Sequence, residues 1–352
     1  MAISDLAPDD TILARQIQLV RRPVGSLQST DFRVHERHIG ELAQGEFVVR
    51  NSWLSIDAAT VLRVGDTGSS YLPPLELGQP MEGWAVGRVV RSASARWQVG
   101  DAVMHNYGWR DHTVFSDEMS GWGSPELLTI DDPRTENEFV GALGTTGLTA
   151  WAGLLRVAVL KAGDVVFVSA GAGAVGALVI QLAKRRGHVV VASAGSEQKV
   201  RFLVDELKAD AAFCYRDGSP TELLRAVAPD GIDVYFDNVG GDHLEAALES
   251  LRPGGRVALC GAIGSYAPDV ETRGPRNLFN ATAKGLTLRG FLARMYAEDF
   301  TECRAEMASL IDGGQLVFPQ CVYDGVDQAP QAMLDLLAGR NTGKVLVRLG
   351  LE

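Results

Sequence analysis

From residue 164 to residue 261 the chain alternates short apolar runs with helical stretches, and this alternation restricts the fold more than any other feature. The run DVVFVSA (164–170) has the length and unbroken apolarity of a strand covered on both faces. AVGALVIQLAKRRG (174–187) reads as a helix closed by Gly187. A strand follows at 188–193, then a helix carrying apolar Val200, Leu203, Val204 and Leu207, a strand at 211–215 and a helix at 221–228. A strand at 234–238, a helix at 242–251 and a strand at 256–261 complete the run. Parallel strands need crossover helices, so this order predicts an α/β fold with a doubly wound parallel sheet. Before about residue 139 there is no long helical period. Short β-rich runs such as 46–56 and 84–92 lie between Gly, Pro and Asp clusters there, which predicts a β-rich first domain. A helix over 326–339 and a last strand over 344–349 are expected at the end of the chain.

The turn between the first strand and helix of the alternation reads Gly171, Ala172, Gly173, Ala174, Val175, Gly176. A GxGxxG sequence in that setting is the dinucleotide fingerprint. Gly171 would make the tight turn, Gly173 would let backbone amides reach a pyrophosphate, and Gly176 would let helix and strand approach closely. The second strand then bears on the choice of cofactor. A site for NAD usually places an acid about 20 residues after the first glycine, on the ribose hydroxyls. Here that strand runs into Ala192, Ser193, Ala194, Gly195 and Ser196, with no acid among them. An acid would repel a 2′-phosphate; small residues admit one, and Lys199 and Arg216 would neutralise it unless they are merely solvated. NADP(H) is therefore expected over NAD(H).

Composition removes other classes. Lys and Arg number 33 against 44 Asp and Glu, a net charge of −11, so a nucleic-acid partner has no global electrostatic footprint. No run of about 18 apolar residues offers a membrane span. The first residues, MAISDLAPDDTILA, lack the basic start of a secretory signal. Cys214, Cys260, Cys303 and Cys321 form no CxxC pair, which suits a reducing compartment, and a cytoplasmic location is expected.

Many segments in order along nearly the whole chain resemble one family: RNSWLSID (50–57), YLPPLELGQPMEG (71–83), YGWRD (107–111), GLTAWAGLL (147–155), SAGAGAVG (169–176), GSEQK (195–199), CY (214–215), YFDNVGG (235–241), CGAIGSY (260–266), GPRN (274–277), GF (290–291) and NTGK (341–344). The family is the medium-chain dehydrogenase/reductase superfamily. More closely, the chain is similar to the zinc-independent branch of leukotriene/prostaglandin reductases, alkenal double-bond reductases and curcumin reductases. Zinc-dependent relatives carry a cysteine ligand in the N-terminal domain, and this chain has no cysteine before Cys214. The resemblance implies a discontinuous GroES-like catalytic domain (1–141 and 317–352) and a Rossmann NADP-binding domain (142–316), in a homodimer. It also implies conjugate reduction of α,β-unsaturated carbonyl compounds, with quinone reduction as the alternative enzyme reading. A non-catalytic NADPH-binding sensor is the third reading.

By the same resemblance Tyr266 would stand near the nicotinamide and donate or relay a proton, or else only pack on the cofactor. Gly171 to Gly176, Ser196, Lys199, Tyr215, Arg216, Asn238, Cys260, Gly261, Phe291 and Asn341 would contact the cofactor. The alternatives are a turn-forming role for Asn341, a plain strand end at Gly290–Phe291 and packing for Cys214 and Cys260. Asp57, Tyr71, Tyr107, Trp109, Thr145 and Thr146 would line the substrate pocket, with core packing as the alternative for the aromatics Tyr107 and Trp109. Two departures stand out. Ala58 and Ala59 replace a family Pro-Tyr that supplies a substrate-side hydroxyl, and Thr145–Thr146 replace Met-Pro.

Overall fold

The computed structural model describes residues 11–65, 72–130, 135–266 and 274–349. They form two compact units. One comprises Met1–Val140, Val322–Ala338 and Val345–Glu352; the other comprises Gly141–Cys321 and Gly339–Lys344.

The first unit is β-rich. Strands β1 (Ile12–Leu19) and β2 (Phe32–Ile39) pair as an antiparallel ribbon. Strand β3 (Glu46–Ile56) is the longest, followed by β4 (Ala85–Ser92), β5 (Ala102–His105), β6 (His112–Ser116) and β7 (Glu126–Leu128). β3 pairs with both β4 and β6 through its backbone, and its side chains are buried along much of its length. On one face Phe47 stacks on Trp97 at 4.8 Å and joins Val49, Val89, Val103 and Phe115 in an apolar cluster. A short helix α1 (Glu136–Phe139) closes this stretch.

The second unit opens with helix α2 (Thr145–Ala152) and holds a six-stranded parallel sheet. Its strands and helices alternate as β8 (Val165–Val168), α3 (Ala174–Arg185), β9 (Val189–Ala194), α4 (Glu197–Asp205), β10 (Ala211–Cys214), α5 (Pro220–Val227), β11 (Ile232–Asp237), α6 (Gly241–Ser250), β12 (Leu251–Leu259), α7 (Phe279–Ala283) and β13 (Thr287–Gly290). The strand order β10-β9-β8-β11-β12-β13 reverses direction between β8 and β11. That switch point is where open α/β sheets leave a crevice for ligands. Val166, Phe167, Val168, Val234, Tyr235 and Phe236 are all fully buried, which is why these strands read as unbroken apolar runs. Helix α8 (Phe300–Asp312) packs on α2. Strands β14 (Gln320–Asp324) and β15 (Lys344–Arg348) join the sheet of the first unit in the order β14-β15-β3-β4-β5-β7, with α9 (Ala329–Leu337) between them in sequence.

Three expectations need adjustment. The strand expected at 211–215 ends at Cys214, so Tyr215 stands in the turn beyond it. The strand expected from 256 begins at Leu251 and runs through Pro253–Gly254–Gly255 with a register irregularity against β11. The helix expected over 326–339 is a 3-10 turn (Val326–Gln328) and then α9, with a proline in the first turn of α9. Among the described residues no helix is long and apolar enough to cross a membrane.

Gly147 shows how tightly α2 is seated. A Cβ on Gly147 would fall 1.8 Å from the carbonyl oxygen of Ala142, which neither backbone can relieve. Gly147→Ala is therefore expected to cost about 1–3 kcal/mol of stability and to lower Tm by roughly 2–8 °C. Thermal unfolding followed by circular dichroism checks this, and an unchanged Tm would contradict it.

Candidate functional site

The fingerprint turn is built by backbone packing. Ala170, at the end of β8, takes a left-handed conformation (φ 48°), and its carbonyl accepts from Gly173 N–H at 2.9 Å. Gly171 N–H donates to Ser193 O of the neighbouring strand at 2.9 Å. A Cβ on Gly176 would lie 2.5 Å from Ala170 O, so α3 can press on the turn only because that position has no side chain. At Gly173 a Cβ would meet just one atom, Ala170 O at 3.2 Å, leaving the space above the turn open. Gly173 is also the N-cap of the 12-residue helix α3 and supplies no side-chain cap. Unfilled space over an uncapped helix N-terminus fits a diphosphate.

A segment from the end of the chain completes this turn. Gly343 N–H donates to Ala172 O at 2.8 Å, and Gly173 and Gly343 form an isolated parallel bridge. Gly343 has φ 76°, and a Cβ there would lie 2.0 Å from Pro319 O. The buried Asn341 donates from Nδ2 to Gly343 O at 2.9 Å, so its amide shapes the loop that rests on the fingerprint.

At the end of β11 lies a buried polar network that the sequence reading did not single out. Asp237 Oδ1 accepts from Tyr235 Oη at 2.7 Å, Gly240 N–H at 2.7 Å and Val239 N–H at 3.0 Å. Burial raises the Asp237 pKa, opposed by these hydrogen bonds. The Tyr235 hydroxyl also lies 2.9 Å from Ser169 Oγ, and its pKa is raised by burial and by the adjacent carboxylate. Ser169 Oγ accepts from Asn238 N–H at 3.0 Å, and Asn238 Nδ2 donates to Ser169 O at 2.8 Å. Asn238 thus braces the residue that leads into the fingerprint. The sequence signal was the polar FDN ending of an otherwise apolar strand.

The CGAIGSY loop hangs on the same network. Cys260 N–H and Gly261 N–H donate to Asp237 O at 2.9 and 3.0 Å. Burial, then Asp237, pushes the Cys260 thiol up to about 12, so it is a neutral thiol and not a nucleophile. The half-buried Tyr266 folds back so that its hydroxyl accepts from Ala262 N–H at 3.2 Å.

The cationic pair expected from the sequence is adjacent in space. The half-buried Lys199 has its pKa lowered by burial and by Arg216, and its Nζ donates to Gly339 O at 2.8 Å. Ser196 caps α4, its Oγ accepting from Lys199 N–H at 3.3 Å. Arg216 Cζ stands 5.8 Å from the Tyr215 ring centroid. A Cβ on Gly195 would lie 2.9 Å from Tyr215 Oη, so the bare backbone there makes room for that hydroxyl.

The remaining candidates lie apart. Phe291 points into the core, against Phe236 and Tyr296 at 6.2 Å each. Thr145 and the buried Thr146 begin α2. In the other unit, the half-buried Asp57 accepts from Ser55 Oγ at 2.5 Å, and the half-buried Tyr107 packs edge-on to Phe115 at 5.8 Å. Trp109 is a correction: expected on a pocket wall, it is fully buried, at φ 61°, and stacked on Phe32 at 6.0 Å. A loop aromatic gives no periodic sign of which way it faces, and here the chain turns it inward. Tyr71 lies outside the described residues.

Beside Tyr107 the buried His105 accepts from Tyr107 N–H at Nδ1 (3.1 Å), so Nε2 carries the proton and donates to Asn51 Oδ1 at 2.8 Å. Asn51 donates in turn to Arg110 O and Thr113 Oγ1. Burial first, and Arg110 second, push the His105 pKa down to about 3.

Against this geometry, the profile described as the N-terminal domain of oxidoreductase matches residues 15–121, and that described as zinc-binding dehydrogenase matches 174–309. The chain is 36% identical over 309 residues to the NADP(+)-dependent 2-alkenal reductase of Nicotiana tabacum, covering 87% of this chain and 88% of that one. It is 33% identical over 340 residues to the NADPH-dependent curcumin reductase of Escherichia coli, covering 95% and 96%. The crystal structure of CurA from Vibrio vulnificus in complex with NADPH superposes with a TM-score of 0.88 at 32% identity, over 96% of this chain and all of that one. The chain belongs to the medium-chain dehydrogenase/reductase superfamily, in its zinc-independent reductase branch.

Two neutral buried histidines of this reductase set a pH limit on its fold. His105 and His243 have pKa values near 3 and 4, both lowered chiefly by burial, against about 6.5 in the unfolded chain. Below pH 6.5 the unfolded state takes up protons that the folded state refuses. Stability is therefore complete above pH 6.5 and falls as pH drops toward the folded values, by about 2 kcal/mol per histidine at pH 5. Denaturant titrations at pH 7.5, 6 and 5 check this, and equal midpoints at pH 7.5 and 5 would contradict it.

Proposed function

We propose that this chain is an NADPH-dependent oxidoreductase that reduces the C=C bond of α,β-unsaturated carbonyl compounds. The observation that carries the reading is the Tyr266 hydroxyl, hydrogen-bonded to Ala262 N–H in a loop hung from the same carbonyl-and-carboxylate network as the fingerprint. When bound, NADPH supplies a hydride for the β-carbon of the substrate. The open space at Gly173 and the α3 N-terminus receive the diphosphate, and Lys199 and Arg216 neutralise the 2′-phosphate. Acceptance of the Ala262 N–H at the Tyr266 oxygen makes its O–H a better donor. The phenol then gives its proton to the α-carbon of the substrate enolate and regains one from water, with no permanently charged group required. Asn238, Asn341, Gly261 and the Phe291 backbone complete the cofactor contacts, and Thr145 and Thr146, at the start of α2 in the same unit, contribute to the substrate side. The names of the tobacco and E. coli relatives support a polarised alkene as substrate.

NADPH oxidation with an enone, with an ortho-quinone and with no acceptor tests the reading. Turnover of the enone is expected; turnover of the quinone alone would replace the reading with quinone reduction, and tight NADPH binding without turnover would favour a sensor. Tyr266→Phe should lower kcat about tenfold or more while leaving NADPH affinity within about twofold. An unchanged kcat would make Tyr266 a packing residue.

We further propose a cytoplasmic homodimer joined along β13. That edge strand is largely exposed, and the segments on either side of it in sequence carry Leu278, Phe279 and Met295, which are 52%, 76% and 61% exposed, large apolar side chains that a second copy would cover. Light scattering should give twice the chain mass, and Phe279→Asp should shift it toward the monomer. A monomeric wild type would remove this assembly.

A further inference from the structure

We infer that His243 is a positioning residue that sets the cofactor's 2′-phosphate selectivity by holding the Tyr215 ring over Gly195. The inference rests on the reading of this unit as an NADPH site and goes beyond it, because His243 lies in none of the segments that carry the family resemblance.

His243 sits in the first turn of α6, with its N–H on Gly240 O at 3.2 Å, and is only 5% exposed. Its Nε2 has no hydrogen-bond partner although it is buried. A buried polar atom left in that state costs free energy, so its placement needs a reason. The reason is the neighbour. The imidazole and the Tyr215 ring form a T-shaped pair, with centroids 5.3 Å apart and planes at 76°. Such a pair is favourable beyond the area it buries.

Tyr215 needs that support because of where it stands. It follows the last residue of β10, is 36% exposed, and is tied to β9 only through its backbone N–H on Ala194 O at 3.0 Å. The exposed Arg216 lies over the ring at 5.8 Å and is itself solvated. Of His243 and Arg216, only His243 is buried in the protein interior. It fixes the ring in the orientation that brings Oη against the bare Gly195 backbone, at the end of the acid-free strand and beside the Lys199–Arg216 pair. A tyrosine already held there meets an arriving phosphate without loss of rotamer freedom. The neutral imidazole adds no charge to that pair, so its contribution is packing and orientation.

Isothermal titration of the full chain with 2′,5′-ADP and with 5′-AMP tests this, since the two differ only in the 2′-phosphate. The wild type should prefer 2′,5′-ADP. His243→Ala should weaken 2′,5′-ADP about fivefold and leave 5′-AMP within about twofold, and His243→Phe, which keeps a ring, should retain the wild-type preference. His243→Leu fills the buried space without an aromatic ring; it should behave as the alanine variant does and serves if that variant fails to fold. Adding His243→Ala to Tyr215→Leu should cost nothing further in selectivity. Equal weakening of both nucleotides, or no change in either, would overturn the inference. Lys199→Ala separates it from the reading beneath: selectivity lost there but intact in the His243 variants overturns the role of His243 alone. A wild type that binds both nucleotides alike overturns both.

Discussion

The nucleotide face depends on how closely the start of α3 can approach the turn that precedes it. Ala170 in a left-handed conformation aims its carbonyl at the helix, and Gly176 supplies the bare surface that lets the helix come against it. The residues on either side of that contact are held in turn by other elements. Ser169, one residue earlier, is held by Asn238 and by the Tyr235 hydroxyl, and Ala172, two residues later, is held by Gly343. A displacement of the turn would disturb two strands, one helix and the C-terminal loop together. The local geometry is thus determined from several directions, as an unusual backbone conformation requires.

Charge is handled differently at the two ends of this face. Beneath the fingerprint, Asp237 is buried and its oxygen collects one phenol and two backbone N–H groups, which favour the ionised form against the desolvation that raises its pKa. At the rim, Lys199 and Arg216 repel each other, and Lys199 spends one of its protons on a backbone carbonyl. Two like charges held together in the absence of an anion are a destabilised arrangement that an anion relieves. The rim carries charge that an anion would relieve, while the Asp237 oxygen beneath the fingerprint is already satisfied.

Much of this architecture was legible in the chain. Strands buried on both faces read as continuous apolar runs, and helices such as α3 declare themselves by period and by the glycine that follows. The glycine fingerprint and the acid-free second strand also stand in the sequence, because each is a local pattern with a local physical cause. What was not legible came from contacts distant in sequence. The turn-forming alternative for Asn341 anticipates its amide on Gly343, but nothing nearby signals that Gly343 rests on Ala172. Helix α8 escaped notice although Cys303, Met307 and Leu310 recur at helical spacing on its buried side, because the preceding 3-10 stretch is kinked at Tyr296 and blurs its start. Trp109 in a loop, and His243 beside a ring of another loop, have orientations that only tertiary packing decides.

The return of Gly339–Lys344 to the nucleotide unit also has a consequence for how the protein is made. Synthesis runs from the N-terminus, so the entire parallel sheet leaves the ribosome before the segment that donates to Ala172 and accepts from Lys199 exists. A nascent chain ending at Cys321 has its glycine turn without the support of Gly343 and its lysine without a carbonyl partner. The unit can collapse early, but its glycine turn is finished only when Gly339–Lys344 has been made. Competence for the cofactor is thereby coupled to synthesis through Lys344, and no contiguous excerpt contains the whole of that surface unless it runs from β8 to β15.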